Sequence, residues 1–243
     1  MKSYSSSRNR GFTLIETVIA IGVLAVLLTG FMAVFAPAAA GIRKSLNVQE
    51  ADRLASTLEQ ELVTLRAGTA SGSIKTGFAK AFEWIRKSNT AADAIMVYQY
   101  RGSMSKLRKD GTPQPEANIK SKLPGKDYVL HTMVRRKSDS EFLEDLTAVE
   151  GGVYVVKCTQ LIFSGGQLKP GSPGTITDPK GASGKGGNAA TADAYPEAVI
   201  AFSADFYALP SRDASYFGSS GGFTKSFTTL KKPVFTRNLA VRR

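Results

Sequence analysis

The most constraining feature of the chain is an apolar run near its N-terminus, which contains no Asp, Glu, Lys or Arg from Thr17 to Ile42. As a helix, this run spans about 39 Å, which is enough to cross a hydrocarbon core about 30 Å thick. A single carboxylate, Glu16, stands at its head, and a charge placed there costs free energy unless it has a partner. The run therefore predicts one membrane-inserted helix and makes Glu16 a candidate functional residue.

The charges on either side of the apolar run predict its orientation. Lys2, Arg8 and Arg10 precede the run without an acidic residue among them, whereas Arg43 and Lys44 after it are soon followed by acidic residues. The purely cationic flank of a membrane helix stays in the cytoplasm. We therefore expect a cytoplasmic N-terminus in the inner membrane and a periplasmic head.

Two ordinary kinds of N-terminal segment fit part of this pattern. A cleaved signal peptide could use the small residues 38–40 as its cleavage site, but the apolar run is longer than the usual run of about 7–15 residues. An uncleaved membrane anchor explains the length of the run. Neither of them explains an acidic residue at the head of the run.

The sequence RGFTLIE at residues 10–16 offers a third interpretation, because it resembles the leader and N-terminal helix of type IV pilins and type II secretion pseudopilins. The resemblance covers roughly residues 8–40. In that family a membrane-embedded peptidase cuts after the glycine and methylates the new N-terminal amine. The resemblance therefore implies cleavage between Gly11 and Phe12, with N-methylated Phe12 as the first mature residue and residues 1–11 as the leader.

The same resemblance gives Glu16 a role in subunit assembly. Cleavage would leave Phe12 with a cationic amine, and Glu16 lies four residues further on, which is about one helical turn. In a bundle of such helices, the amine of one subunit can pair with the carboxylate of its neighbour. Because each charge is costly in lipid when unpaired, the pair favours assembly and sets its register.

The rest of the chain predicts an α+β head. Apolar residues recur at helical spacing over residues 42–66, so one helix of about fifty residues is expected to continue from the apolar run. Further helices are predicted at residues 74–87 and within 138–149. Five segments rich in β-branched and aromatic residues predict strands at 94–100, 127–134, 153–163, 197–209 and 233–241. The family resemblance implies a pilin-like fold, with the long helix packed on an antiparallel sheet of about four or five strands.

Two long segments between these elements are predicted to be flexible loops. Residues 101–126 are basic and contain Pro and Gly, and residues 164–194 have almost no apolar residue after Leu168 to place in a core. The predicted organisation is a leader peptide (1–11), a transmembrane and filament-core helix (12–41) and a globular head (42–243).

The formal net charge of +12 favours anionic partners such as DNA or a negatively charged surface. A minor pilin that binds DNA or a surface through basic loops is therefore an alternative function. The candidate anion-binding residues form two groups in the sequence: Lys106, Arg108 and Lys109, and Arg135, Arg136 and Lys137. The nearby acidic residues Glu141, Glu144 and Asp145 are interpreted as solvated.

We do not expect an enzyme, because no catalytic set is visible around His131, the sole histidine. No metal-ligand set or cofactor motif is visible either, and Cys158, the sole cysteine, is predicted to be a small buried residue on a strand. A secreted enzyme with an ordinary signal peptide is the second alternative. The expected function is that of a minor pilin or pseudopilin, which prepilin peptidase processes and which assembles through its N-terminal helix.

Overall fold

The structure of the chain is a computed structural model, which describes residues 13–67, 74–118, 120, 122–178, 187–218 and 221–243. The chain divides into two compact units, Met1–Glu50 and Ala51–Arg243. The first unit contains the apolar run, and the second contains a β-sheet with helices on both of its faces.

Helix α1 (Leu14–Val63) contains the whole apolar run, as the sequence predicts. Among the described residues it is the one helix that is long and apolar enough to cross a membrane, over the segment Leu14–Ala39. Every large apolar side chain from Leu14 to Phe35 is more than half exposed within this unit. A helix that is apolar on all sides requires lipid or other helices around it.

The sheet contains all five predicted strands and two short additional ones, so it is larger than the four or five strands expected. All pairings between its strands are antiparallel. β1 pairs with β3 on one side and with β4 and β2 on the other, and the order then continues through β6 to β7 at the opposite edge. The strands are β1 (Ile95–Leu107), β2 (Pro113–Pro115), β3 (Tyr128–Arg136), β4 (Val149–Ser164), β5 (Gln167–Pro170), β6 (Val199–Ala208) and β7 (Phe235–Arg242).

Helices cover both faces of this sheet. The alternation along β1 separates the two cores: Ile95 and Val97 pack with α1 and α2, whereas Met96 and Tyr98 pack with the later helices. Cys158 is buried in the first core, as predicted. The shorter helices are α2 (Gly77–Lys87), α3 (Ser140–Asp145), a 3-10 turn (Leu146–Ala148), α4 (Ala214–Phe217) and α5 (Phe223–Thr229).

The prediction of a flexible loop over residues 101–126 is wrong in its first part, because β1 continues to Leu107. The segment after Tyr100 lacks β-branched residues, so its sequence gives little strand signal. Cross-strand pairing decides the outcome instead, since Arg101 pairs with Leu130 and Leu107 pairs with Pro113.

The prediction that residues 164–194 bury nothing is also wrong. Ile176 is fully buried in the first core, where the small residues Ala189 and Ala192 accompany it. Gln160 of β4 anchors this segment, because its side-chain amide donates to the carbonyl oxygen of Thr177 at 2.9 Å and accepts from the backbone N–H of Thr177 at 2.7 Å. Residues 179–186 of the predicted loop lie outside the described residues.

Candidate functional site

Glu16 lies in the first turn of α1, where it forms a reciprocal cap with Thr13. The backbone N–H and the hydroxyl of Thr13 donate to Glu16 Oε2 at 2.8 and 2.9 Å. In return, the backbone N–H of Glu16 donates to Thr13 Oγ1 at 3.3 Å. This is the arrangement of a capping box, which satisfies backbone donors that the first helical turn leaves unpaired. The carboxylate therefore also stabilises the start of the helix, and the Thr-x-x-Glu spacing was a sequence signal for that role.

The surroundings of Glu16 are apolar. One side of the helix presents a shallow surface formed by Glu16 and the small or aliphatic residues of the next three turns: Ile19, Ala20, Val23, Leu24 and Leu27. A second helix laid on this surface would cover aliphatic side chains and would place its own groups close to the carboxylate. Gly11 and Phe12, the predicted cleavage residues, lie outside the described residues.

The structure brings two of the predicted anion-binding residues together, but it places them around an interior carboxylate. Arg108 donates to Asp145 Oδ1 at 2.6 Å and to Glu144 Oε2 at 2.9 Å. Arg135 is 5% exposed and donates to Asp145 Oδ2 at 3.0 Å and to Asp110 Oδ2 at 2.9 Å. These guanidinium groups are therefore engaged with carboxylates of the same chain.

The interpretation of Asp145 as a solvated residue is wrong, because its side chain is fully buried between β1, β3 and α3. The Tyr98 hydroxyl also donates to it, and burial raises the pKa of Tyr98 well above its ordinary value. Burial alone would raise the pKa of Asp110, but hydrogen bonds from Thr112 and the ion pair with Arg135 outweigh it and hold that pKa at about 2. The cluster is a network of paired charges inside the head.

The remaining basic candidates have different surroundings. Arg136 pairs with Asp139 at 3.3 Å and with Asp93 at 3.9 Å. The Lys137 ammonium lies 5.7 Å from the centre of the Phe223 ring. Lys106 and Lys109 are exposed. The geometry thus argues against Arg108, Arg135 and Arg136 as an anion-binding site, because their charges are already balanced by carboxylates.

A buried lysine that the sequence did not single out joins α1 to α2. Lys80 is 1% exposed, and its ammonium donates to Glu61 Oε1 at 2.9 Å and to the carbonyl oxygens of Glu61 and Thr64 at 2.6 and 2.7 Å. These carbonyls lie at the C-terminal end of α1, where a cation is favourable. A side chain at Gly77 would overlap the carbonyl oxygen of Val63, so only glycine allows α2 to begin there.

Comparison with known families agrees with the N-terminal interpretation. Residues 6–32 match the family described as the prokaryotic N-terminal methylation motif. No curated protein and no solved structure matched the chain. The matched segment includes the predicted cleavage residues and Glu16, and the motif implies processing by prepilin peptidase and assembly with other pilin subunits. With the apolar helix, it indicates anchoring in the inner membrane. The chain therefore carries the N-terminal signature of type IV pilins and pseudopilins.

Proposed function

We propose that the chain is a structural, non-catalytic subunit, a minor pilin or pseudopilin, of a type IV pilus or a type II secretion-like filament. Prepilin peptidase removes a cytoplasmic leader between Gly11 and Phe12 and methylates the new amine. The head is periplasmic, and the apolar helix passes from the membrane into the filament core. The observation that carries the proposal is the single carboxylate, Glu16, within the methylation motif and at the head of an apolar helical segment whose large side chains are more than half exposed.

The capping box suggests how Glu16 acts before assembly. In the precursor, Thr13 holds the carboxylate at the start of the helix. Cleavage then creates a cationic amine at Phe12. A neighbour's amine brings a full positive charge to the carboxylate, which the neutral donors of Thr13 do not supply. In a surrounding of low dielectric constant, the Coulomb attraction between the two full charges adds to the hydrogen bond, so pairing between subunits draws the helix into the filament.

The decisive experiment is the substitution Glu16→Gln, because it separates the charge from the cap. Glutamine serves in a capping box as glutamate does, so the helix start is retained while the charge is lost. We expect the variant to be cleaved and membrane-inserted but absent from sheared filaments, measured by immunoblotting of the membrane and filament fractions. Thr13→Val is the matched control, since it removes the capping hydroxyl and keeps the charge. Normal incorporation of Glu16→Gln would contradict the pairing mechanism.

Mass spectrometry of the mature N-terminus tests the processing step independently. The proposal predicts N-methylated Phe12 as the first residue. A mature chain that begins at Gly41 would indicate an ordinary signal peptide, and an intact Met1 would indicate an uncleaved anchor. Either result would overturn the assignment.

A further inference from the structure

The two outermost long strands of the sheet, β3 and β7, differ in how their positive charges are balanced. At β3, carboxylates of the same chain pair with Arg135 and Arg136. At β7, Arg242 and the preceding Lys231 and Lys232 are exposed, and the ion pairs among the described residues involve none of them. The β7 edge is therefore the one with uncompensated charge.

The C-terminal segment that contains β7 supplies no acidic residue of its own. From residue 214 to residue 243 there is no Asp or Glu, whereas Lys and Arg recur throughout. The Arg243 guanidinium contacts uncharged groups. It donates to the carbonyl oxygens of Ala192 and Tyr195 at 2.6 and 2.9 Å, and it lies 4.8 Å from the centre of the Phe78 ring. Positive charge therefore lies at both ends of β7, on Lys231 and Lys232 before the strand and on Arg242 and Arg243 where it ends.

The outer side of β7 is largely open, although the Arg237 guanidinium donates to the carbonyl oxygen of Thr236 there at 3.3 Å. β7 pairs with β6, and no described strand pairs with its other edge. The backbone N–H of Arg243 donates to the carbonyl oxygen of Ala198, which continues the register of the β6–β7 pairing. The backbone N–H groups of every second residue before Arg243 therefore also point towards β6. The N–H groups of Thr236, Asn238 and Ala240 consequently face outward, and these three side chains are exposed and uncharged.

We propose that the outer edge of β7 binds an extended, acidic segment of a partner protein, which adds to the sheet as a further strand. The outward N–H and C=O groups supply the hydrogen bonds of strand addition, and the basic ends select acidic residues in the partner. A second copy of the chain is a poor occupant, because two β7 edges side by side would bring like charges together.

The backbone of β7 favours a peptide over a nucleic acid or a lipid surface. The outward N–H groups of Thr236, Asn238 and Ala240 recur at every second residue, as the carbonyl groups of an extended peptide do, whereas polyanions are bound chiefly through cations. Arg237 lies in the middle of the strand and donates to Thr236, whereas the N–H groups of Asn238 and Ala240 remain outward, and the eight residues of β7 contain no Pro or Gly.

The test uses the full chain in detergent micelles and a fluorescent twelve-residue peptide, with two glutamates at each end and alternating Thr and Val between them. Fluorescence polarisation measures the affinity. We expect Lys231→Glu/Lys232→Glu to weaken binding about tenfold, since two exposed attractive charge pairs are replaced by repulsive ones. Lys106→Glu/Lys109→Glu is the matched control, because it changes the net charge equally at a different place, and it should leave the affinity unchanged.

The backbone contribution is tested separately. Ala240→Pro removes an outward N–H without breaking a bond to β6, which an edge strand tolerates, and it should weaken binding at least as much as the charge reversal. Hydrogen exchange of the wild-type chain does not depend on folding of the variants, and the amides of Asn238 and Ala240 should exchange more slowly when the peptide is present.

Three results would overturn the proposal. One is the absence of peptide binding by the wild-type chain, which would indicate that the basic residues prevent the edge strand from pairing with other chains. Another is equal affinity for a peptide whose alternate backbone amides are N-methylated. The third is binding of duplex DNA or anionic phospholipid vesicles, but not of the peptide, with Ala240→Pro unaffected.

Discussion

Replacing Asp145 with Asn removes one buried negative charge from the network inside the head without changing the size of the side chain. Asp145 is fully buried, and it accepts hydrogen bonds from Arg108, Arg135 and Tyr98. Removing one member of a buried ion pair costs about 3–5 kcal/mol, because it leaves the other charge without compensation. Arg108 keeps Glu144 and Arg135 keeps Asp110. We therefore expect the lower end of that range, a loss of about 3 kcal/mol in the free energy of unfolding.

Glu144→Gln is the matched control, because it makes the same chemical change at the solvent-facing partner of Arg108. The Glu144 side chain is 63% exposed, so its ion pair is screened and its loss should cost less than about 1 kcal/mol. The difference between these two substitutions isolates the effect of burial. Both can be measured by urea unfolding of the full chain in micelles, followed by the fluorescence of Trp84, the sole tryptophan, which lies in the first core.

The reasoning is refuted if Asp145→Asn costs no more than Glu144→Gln. In that case the interior arginines would be compensated by water or by their remaining carboxylates, and the network would not hold the β1–β2 turn to α3.

Three further predictions concern other buried groups. Burial lowers the pKa of His131, so below pH about 6.5 the unfolded chain takes up a proton at this residue and the folded chain does not. The free energy of unfolding should therefore decrease as the pH is lowered through this range, and it should decrease less steeply in His131→Gln. Lys80→Met should lower the free energy of unfolding by about 2–3 kcal/mol, because Glu61 loses a buried partner, whereas Lys75→Met at an exposed site should change it by less than about 0.5 kcal/mol. Burial raises the pKa of Cys158 to about 12, so iodoacetamide should label this thiol in urea and not in the native chain, as mass spectrometry would show.

The main elements of the fold could be predicted from the sequence because their signals are local. The exposed run of α1 has no charged residue, and β6 alternates between apolar and other side chains along its length. The extension of β1 beyond Tyr100 could not be predicted, because partners distant in sequence determine it. The burial of Ile176 was missed for a related reason: a single apolar residue in a segment of Gly, Pro and Ser gives no periodic signal, and the side chain of Gln160 fixes its position.

The candidate site shows a similar division. Glu16 could be identified from one misplaced charge, because the cost of a carboxylate beside an apolar run is independent of the rest of the fold. The basic residues could not be interpreted in that way. A cluster of cations in the sequence becomes a binding surface only if the fold leaves those cations uncompensated, and Arg108 and Arg135 meet Asp145 across three elements. The cations near β7 gave a weaker cluster in the sequence but remain exposed.

The capping box sharpens the argument for Glu16 rather than replacing it. A cap of this kind gives a helix a modest stabilisation, whereas a carboxylate in the hydrocarbon core is costly, though less so near the end of the span. The hydroxyl and amide of Thr13 therefore orient the carboxylate without compensating its charge. In the proposed assembly, a neighbour's N-terminal amine would supply that compensation and would meet a carboxylate that is already positioned. The cap and the proposed intersubunit pair would then be successive states of one residue, and only the second would depend on the charge.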